Sequence, residues 1–184
     1  GGCTLLESIT IPDSVTSIGG GAFYNCEFLT DITIPDSVTS IANWAFYNCL
    51  ALTSFTVDGA NTAYSSLNGV LFNKDQTTLL YYPIGNTQTS YTVPNSVIML
   101  GRFAFSGCSA LASVTIPNSV TSIDYSVFNR CSSLASVTIP SSVESINANA
   151  FTVCTALTSI TNLYDGNQNV HSTAFNTGAT GLRT

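Results

Sequence analysis

The side chains able to do chemistry in this chain of 184 residues are one histidine, ten carboxylates, six cysteines and four cations, Lys74, Arg102, Arg130 and Arg183. Catalysis needs a nucleophile, base or carboxylate pair brought together. His171 has no nucleophile motif around it and reads as a surface histidine. No G-x-S-x-G elbow, phosphate-binding loop or dinucleotide fingerprint occurs. Asp13, Asp36, Asp58, Asp75, Asp124 and Asp165 are scattered singly, Asp13 and Asp36 at one recurring position, as solvated turn residues would be. Asp165, Asn167 and Asn169 imitate positions 1, 3 and 5 of a calcium loop, but Val170 and Asn176 stand where its glycine and glutamate belong. A zinc site needs ligands that converge, with cysteine and histidine at short spacing. The six cysteines do not offer this, so the sequence predicts no enzyme, no metal and no cofactor.

Charge narrows the partners further. Only 8% of residues are charged, the net charge is -6 and the pI is near 4.2. Four scattered cations cannot neutralise a run of phosphates, which makes nucleic acid and anionic membrane surfaces poor partners. No stretch reaches eighteen consecutive apolar residues, so no membrane insertion is expected. Gly1-Gly2-Cys3 reads as a start inside a longer chain whose signal and anchor lie elsewhere.

What the cysteines do reveal is a period. They fall at 3, 26, 49, 108, 131 and 154, and every gap is 23 except the 59 between Cys49 and Cys108. Pro12 and Pro35 keep the same spacing, as do Pro94, Pro117 and Pro140. Each copy reads C-x-x-L-x-x-[IV]-x-[IV]-P-x-S-V-x-x-I-x-x-x-A-F-x-x. A fixed period of this length signals stacked repeats. In Leu29-x-x-Ile32-x-Ile34-Pro35, alternation predicts a strand with Ile32 and Ile34 inward and Thr33 outward. Proline then ends it. Val38-x-x-Ile41 is too short and too β-branched for a helix, and predicts a short second strand or one 3₁₀ turn. One copy cannot bury its own apolar residues, but stacked copies can. The cysteine register therefore predicts free, buried thiols, and Phe23, Phe46, Phe105, Phe128 and Phe151 a stacked column.

The pattern at 29–49 and 111–131 resembles the BspA-type, or treponemal-type, leucine-rich repeat. That resemblance implies a leucine-rich-repeat solenoid: a right-handed curved superhelix of short parallel β-strands, with short strands or 3₁₀ turns on its convex side and very little α-helix. It also implies a secreted or cell-surface protein, mostly bacterial, used in adhesion. The expected organisation is one domain over 1–184, with an irregular hairpin-containing repeat at about 58–93 and a degenerate repeat at about 157–184.

Two surfaces are candidates for binding. The outward strand column carries Thr10, Thr33, Thr56, Thr92, Thr115, Thr138 and Thr161, preceded two residues earlier by Ser8, Asp31, Ser54, Ser90, Ser113, Ser136 and Ser159. Threonine is an ordinary solvated strand residue, and repeats make columns automatically. On the concave face the same hydroxyls would meet a protein partner from a host or microbial surface, or a glycan. The irregular repeat gathers Tyr64, Phe72, Tyr81, Tyr82 and Tyr91, which serve either as binding anchors or as packing over the break. The expected function is a non-enzymatic recognition and adhesion module that binds through Thr33, Thr56, Thr92, Thr115, Thr138, Tyr64, Tyr81 and Tyr82. The alternative is a structural spacer that displays another domain.

Overall fold

The computed structural model describes residues 2–175. Gly1 and 176–184, with Asn176, Gly178 and Arg183, lie outside the described residues. The chain is a β-solenoid, and no helix occurs among the described residues. Its backbone divides into two compact units, Gly1–Asn86 and Thr87–Thr184.

In the first unit the strands are β1 Ser17–Ile18, β2 Asp31–Ile34, β3 Ser40–Ile41, β4 Ser54–Val57, β5 Tyr64–Leu67, β6 Val70–Asn73 and β7 Thr78–Tyr81. β1 pairs with β3 and β2 with β4, both parallel, with Ser17 opposite Ser40 and Thr33 opposite Thr56. Partners are thus one 23-residue period apart. In the second unit β8 Ser90–Thr92, β10 Ser113–Thr115, β12 Ser136–Ile139 and β14 Ser159–Asn162 form one parallel sheet. β9 Met99–Leu100, β11 Ser122–Ile123, β13 Ser145–Ile146 and β15 Asn169–Val170 form the other face. Ser145 lies opposite Asn169, so the last turn is one residue longer than the others.

Alternation sets what each strand buries. Along β2 the pattern is exposed, buried, exposed, buried, and β12 repeats it. Ile32, Ile34, Val137 and Ile139 point inward, and the intervening Thr33 and Thr138 point out. A third side, made by the A-F turns, is tied turn to turn by the backbone: Phe23 N–H donates to Ala45 C=O at 2.8 Å and Phe128 N–H to Ala150 C=O at 2.8 Å. Inside that side the phenylalanine column is continuous within each unit. Phe23 stacks on Phe46 at 5.4 Å, Phe105 on Phe128 at 5.1 Å, and Phe128 on Phe151 at 5.2 Å.

The cysteine column forms as the register predicts, except that Cys3 is exposed at the first turn while the other five are buried. Each of three thiols donates to the phenylalanine carbonyl of the preceding turn: Cys49 to Phe23, Cys131 to Phe105 and Cys154 to Phe128, all at 3.0 Å. Burial pushes the Cys49 thiol up to about 12 and the Cys154 thiol up to about 11. The residue before each cysteine is left-handed, as at Asn25, Asn48 and Arg130, which turns the chain into the next strand.

The irregular repeat is a three-stranded antiparallel meander, not a lone hairpin. The predicted hairpin is β6 and β7, and β5 adds to it, with Tyr64 opposite Asn73 and Leu67 opposite Val70. β5 was hidden because Tyr64-Ser65-Ser66-Leu67 lacks an apolar alternation. Asn61 holds the transition. It occupies the place one period after Val38, and it is fully buried. Its side-chain amide donates to Pro35 C=O at 2.7 Å and Val38 C=O at 2.9 Å. Its carbonyl oxygen accepts from Ala63 N–H at 2.8 Å and Tyr64 N–H at 2.7 Å. One side chain therefore bonds four backbone groups at the break in the period.

Four outcomes follow from this packing. Phe128→Ala leaves a cavity between two stacked rings and lowers unfolding stability by roughly 3–5 kcal/mol in urea titration; a loss below about 1 kcal/mol would place the column at solvent. Asn61→Ala removes four hydrogen bonds to the backbone, two of them to buried carbonyls, and lowers stability by about 3 kcal/mol, whereas an unchanged midpoint would show that the meander holds itself. Iodoacetamide near neutral pH adds once to the native protein, at Cys3, and six times to the denatured one, as read by mass. Above the ordinary thiol value of 9.0 the unfolded chain ionises where folded Cys49 stays neutral to about 12, so stability falls as pH rises through that window.

Candidate functional site

The strand column is the surface that the fold presents with the greatest regularity. Thr33 and Thr56 are exposed and directly opposed in the first unit. In the second, Thr92 opposes Thr115 and Thr138 opposes Thr161, and all four are exposed. Beside them run Asp31 opposite Ser54, and Ser90, Ser113, Ser136 and Ser159 in successive register. Parallel pairing sets these hydroxyls about 4.8 Å apart along the stack. Thr33, Thr56, Thr92, Thr115 and Thr138 therefore stand where the sequence predicted them.

Neighbouring hydroxyls have internal duties. Thr53 Oγ1 donates to Thr30 C=O at 3.0 Å, tying the strand entry to the turn before it. The serine of P-x-S-V does the same at the strand exit: Ser37 Oγ donates to Val15 C=O at 2.8 Å, Ser119 to Val97 at 2.6 Å and Ser142 to Val120 at 2.6 Å. This staple was missed in the sequence reading, although a serine recurring inside every P-x-S-V was its signal. The outward strand positions, by contrast, face away from these ties.

The ladder is chemically uneven. In the first unit a cleft of about 420 Å³ is lined by Ser8, Thr10, Thr33, Asp13, Asp31 and Asp58 among others. Residues 1–86 carry Glu7, Asp13, Glu27, Asp31, Asp36, Asp58 and Asp75 against Lys74, while the remainder balances Asp124, Glu144 and Asp165 with three arginines. The net charge of -6 therefore resides in the first unit.

The tyrosines of the irregular repeat are not exposed anchors. Tyr81 is 9% and Tyr82 4% exposed. Tyr81 meets Phe46 edge-on at 5.5 Å and its hydroxyl donates to Ala42 C=O at 3.3 Å. Burial pushes its phenol up to about 12. Tyr64 is half-buried, and from the place one period after Ile41 its hydroxyl accepts Ile41 N–H at 2.8 Å. The aromatic cluster caps the open edge of β3, so of the two sequence readings packing is the one its geometry follows, and Tyr81 and Tyr82 leave the binding face.

Elsewhere the side chains with chemical potential stay apart. His171 is exposed, its Nδ1 3.0 Å from Thr173 Oγ1, and no cluster of three or more potential metal ligands forms among the described residues. The Asp165 segment is a docking loop: Gln168 Nε2 donates to Val143 C=O at 2.6 Å and its Oε1 accepts from Asn162 at 3.0 Å. No helix among the described residues is long and apolar enough to cross a membrane.

Comparison with known proteins agrees with this architecture. The model of the BspA-type leucine-rich repeat region matches residues 1–77 and 81–183 in six copies. A leucine-rich repeat protein of Eubacterium ventriosum is 31% identical, with a TM-score of 0.73, over 84% of this chain and 41% of its own. A leucine-rich cell surface protein of Faecalibacterium prausnitzii is 28% identical, with a TM-score of 0.63, over 84% of this chain and 53% of its own. The pneumococcal vaccine antigen PcpA shares the fold at 21% identity, with a TM-score of 0.61, over 98% of this chain and 63% of its own. The chain thus spans less than two thirds of each of these structures. No curated protein matches it. With its 23-residue turns, buried thiol column and paired strand faces, the chain belongs to the BspA-type leucine-rich repeat family.

Proposed function

We propose that this chain is a non-enzymatic recognition module of a secreted or cell-surface bacterial protein, and that it binds a protein partner across its outward strand face. The exposed, in-register Ser/Thr ladder carries this reading. A parallel sheet locked by turn-to-turn hydrogen bonds holds its hydroxyls in place before any ligand arrives, which lowers the ordering cost of binding. Short polar side chains lose little rotamer freedom, so many modest contacts can add up over successive turns. The surface location draws support from the Faecalibacterium prausnitzii cell surface protein, 28% identical over most of this chain.

The spacer reading makes a different prediction, because a spacer tolerates any exposed change. Beads coated with the chain are applied to epithelial and bacterial surfaces, and adhesion is compared with that of Thr115→Arg/Thr138→Arg. Recognition by the ladder predicts about a tenfold loss of adhesion, equivalent to about 1.4 kcal/mol, at an unchanged melting temperature. Protease treatment of the target surface abolishes adhesion and periodate oxidation leaves it intact. Equal adhesion by both proteins would favour the spacer, and loss after periodate alone would assign a glycan.

A further inference from the structure

A second exposed feature lies away from the strand ladder, on the A-F turns of the first unit. Tyr24 and Tyr47 stack at 5.7 Å with planes 8° apart, and Trp44 leans on Tyr47 at 5.5 Å and 36°. Tyr24 is 38% and Trp44 46% exposed. Phe28 and Leu50, also about half exposed, follow in the next turn of the same two copies. The second unit has Phe103, Ser126 and Asn149 at the Trp44 position and Ser106, Asn129 and Thr152 at the Tyr47 position, and its one aromatic residue there, Phe103, is buried at 8% exposure against Tyr125 where Trp44 stands out at 46%. The fold is therefore built equally well with small polar residues there.

Trp44 is also held at a backbone angle that disfavours it. Its φ is 69°, in the left-handed region that Gly21, Phe103, Ser126 and Asn149 share in the equivalent place. A bulky side chain in that region is uncommon and carries strain. Tryptophan and tyrosine are the residues enriched at binding hot spots.

We propose that Tyr24, Trp44 and Tyr47 anchor a basic, apolar segment of a protein partner. The choice of occupant rests on charge. All of the net charge of -6 lies in residues 1–86, with Glu27 next to Phe28 on these turns. Such a field repels anionic lipid and acidic glycan and draws lysine and arginine toward the site. Arginine over an aromatic face gains cation–π attraction, and its aliphatic stem covers the ring. This surface is separate from the hydroxyl ladder and stands or falls independently of it.

The chain reports on the site by itself, because Trp44 is its single tryptophan. The test titrates the full chain with a short fluorescein-labelled peptide alternating arginine and leucine, following tryptophan emission and peptide anisotropy together. Controls are the peptide with glutamate for each arginine and a neutral β-linked glucan oligosaccharide. The expected result is saturable binding of the basic peptide with a change in Trp44 emission, weakened by salt, and no binding of the acidic one. Trp44→Ser/Tyr47→Asn, which installs the second unit's own residues, weakens binding by about tenfold at an unchanged melting temperature. Should that double variant misfold, Tyr24→Ser alone serves, with the same direction of effect. Binding that survives these substitutions, or an emission change produced by the glucan and not by the basic peptide, would overturn the proposal.

Discussion

The whole structure depends on one requirement: each turn of chain must satisfy its backbone against the next turn while placing like side chains over like. Both are met at once only if the turn has a fixed length. With 23 residues, Ser113 meets Ser136 in the sheet, Phe128 N–H meets Ala150 C=O on the third side, and Phe105 stacks on Phe128. A one-residue slip within a strand would turn its core residues out to solvent. The thiol column obeys the same rule, since the Cys131 thiol reaches the Phe105 carbonyl only when its neighbour is one period away. Sequence monotony is thus the consequence of a hydrogen-bond register.

Where the period is interrupted, the register must be closed by other means. Past Val57 no regular second strand follows, and the backbone of β3 and its flanking turns would be left open. Asn61 answers for Pro35 and Val38, the Tyr64 hydroxyl for Ile41, and the Tyr81 hydroxyl for Ala42. Each is a polar side chain placed where a backbone group is missing. An open strand edge invites pairing with foreign chains, so the meander's tyrosines serve the fold first, and their aromatic area goes inward.

This explains what could and could not be read from the amino acids. Strand alternation, the inward columns of Phe and Cys and the position of the break were legible because each is a period that repetition reports several times over. The role of Asn61 was not, since a single asparagine carries no period and its value depends on partners 23 and 26 residues away. The burial of Tyr81 and Tyr82 escaped for a related reason: aromatic residues in a loop-like insertion suit both a core and a contact surface, and composition does not separate the two. Nor was Trp44 legible as special, because its exposure and its left-handed φ emerge only with the turn itself.

The same constraint separates structure from function on the surface. Inward positions, the P-x-S-V serines and the residues before each cysteine are all engaged in holding one turn to the next. Variation without loss of fold is possible only at outward strand positions and on the exposed rim of the turns. The two units diverge at such places: Asp31 replaces the serine of other strands, Tyr24 and Tyr47 stand where Ser106, Asn129 and Thr152 do, and Trp44 where Phe103, Ser126 and Asn149 do. The acidic residues gather in the first unit while the Phe and Cys columns of the core stay uniform through both. Divergence confined to positions that the fold leaves free is what a binding surface on a repetitive frame requires, since affinity there arises from a few distinctive anchors set in a field of near-neutral contacts.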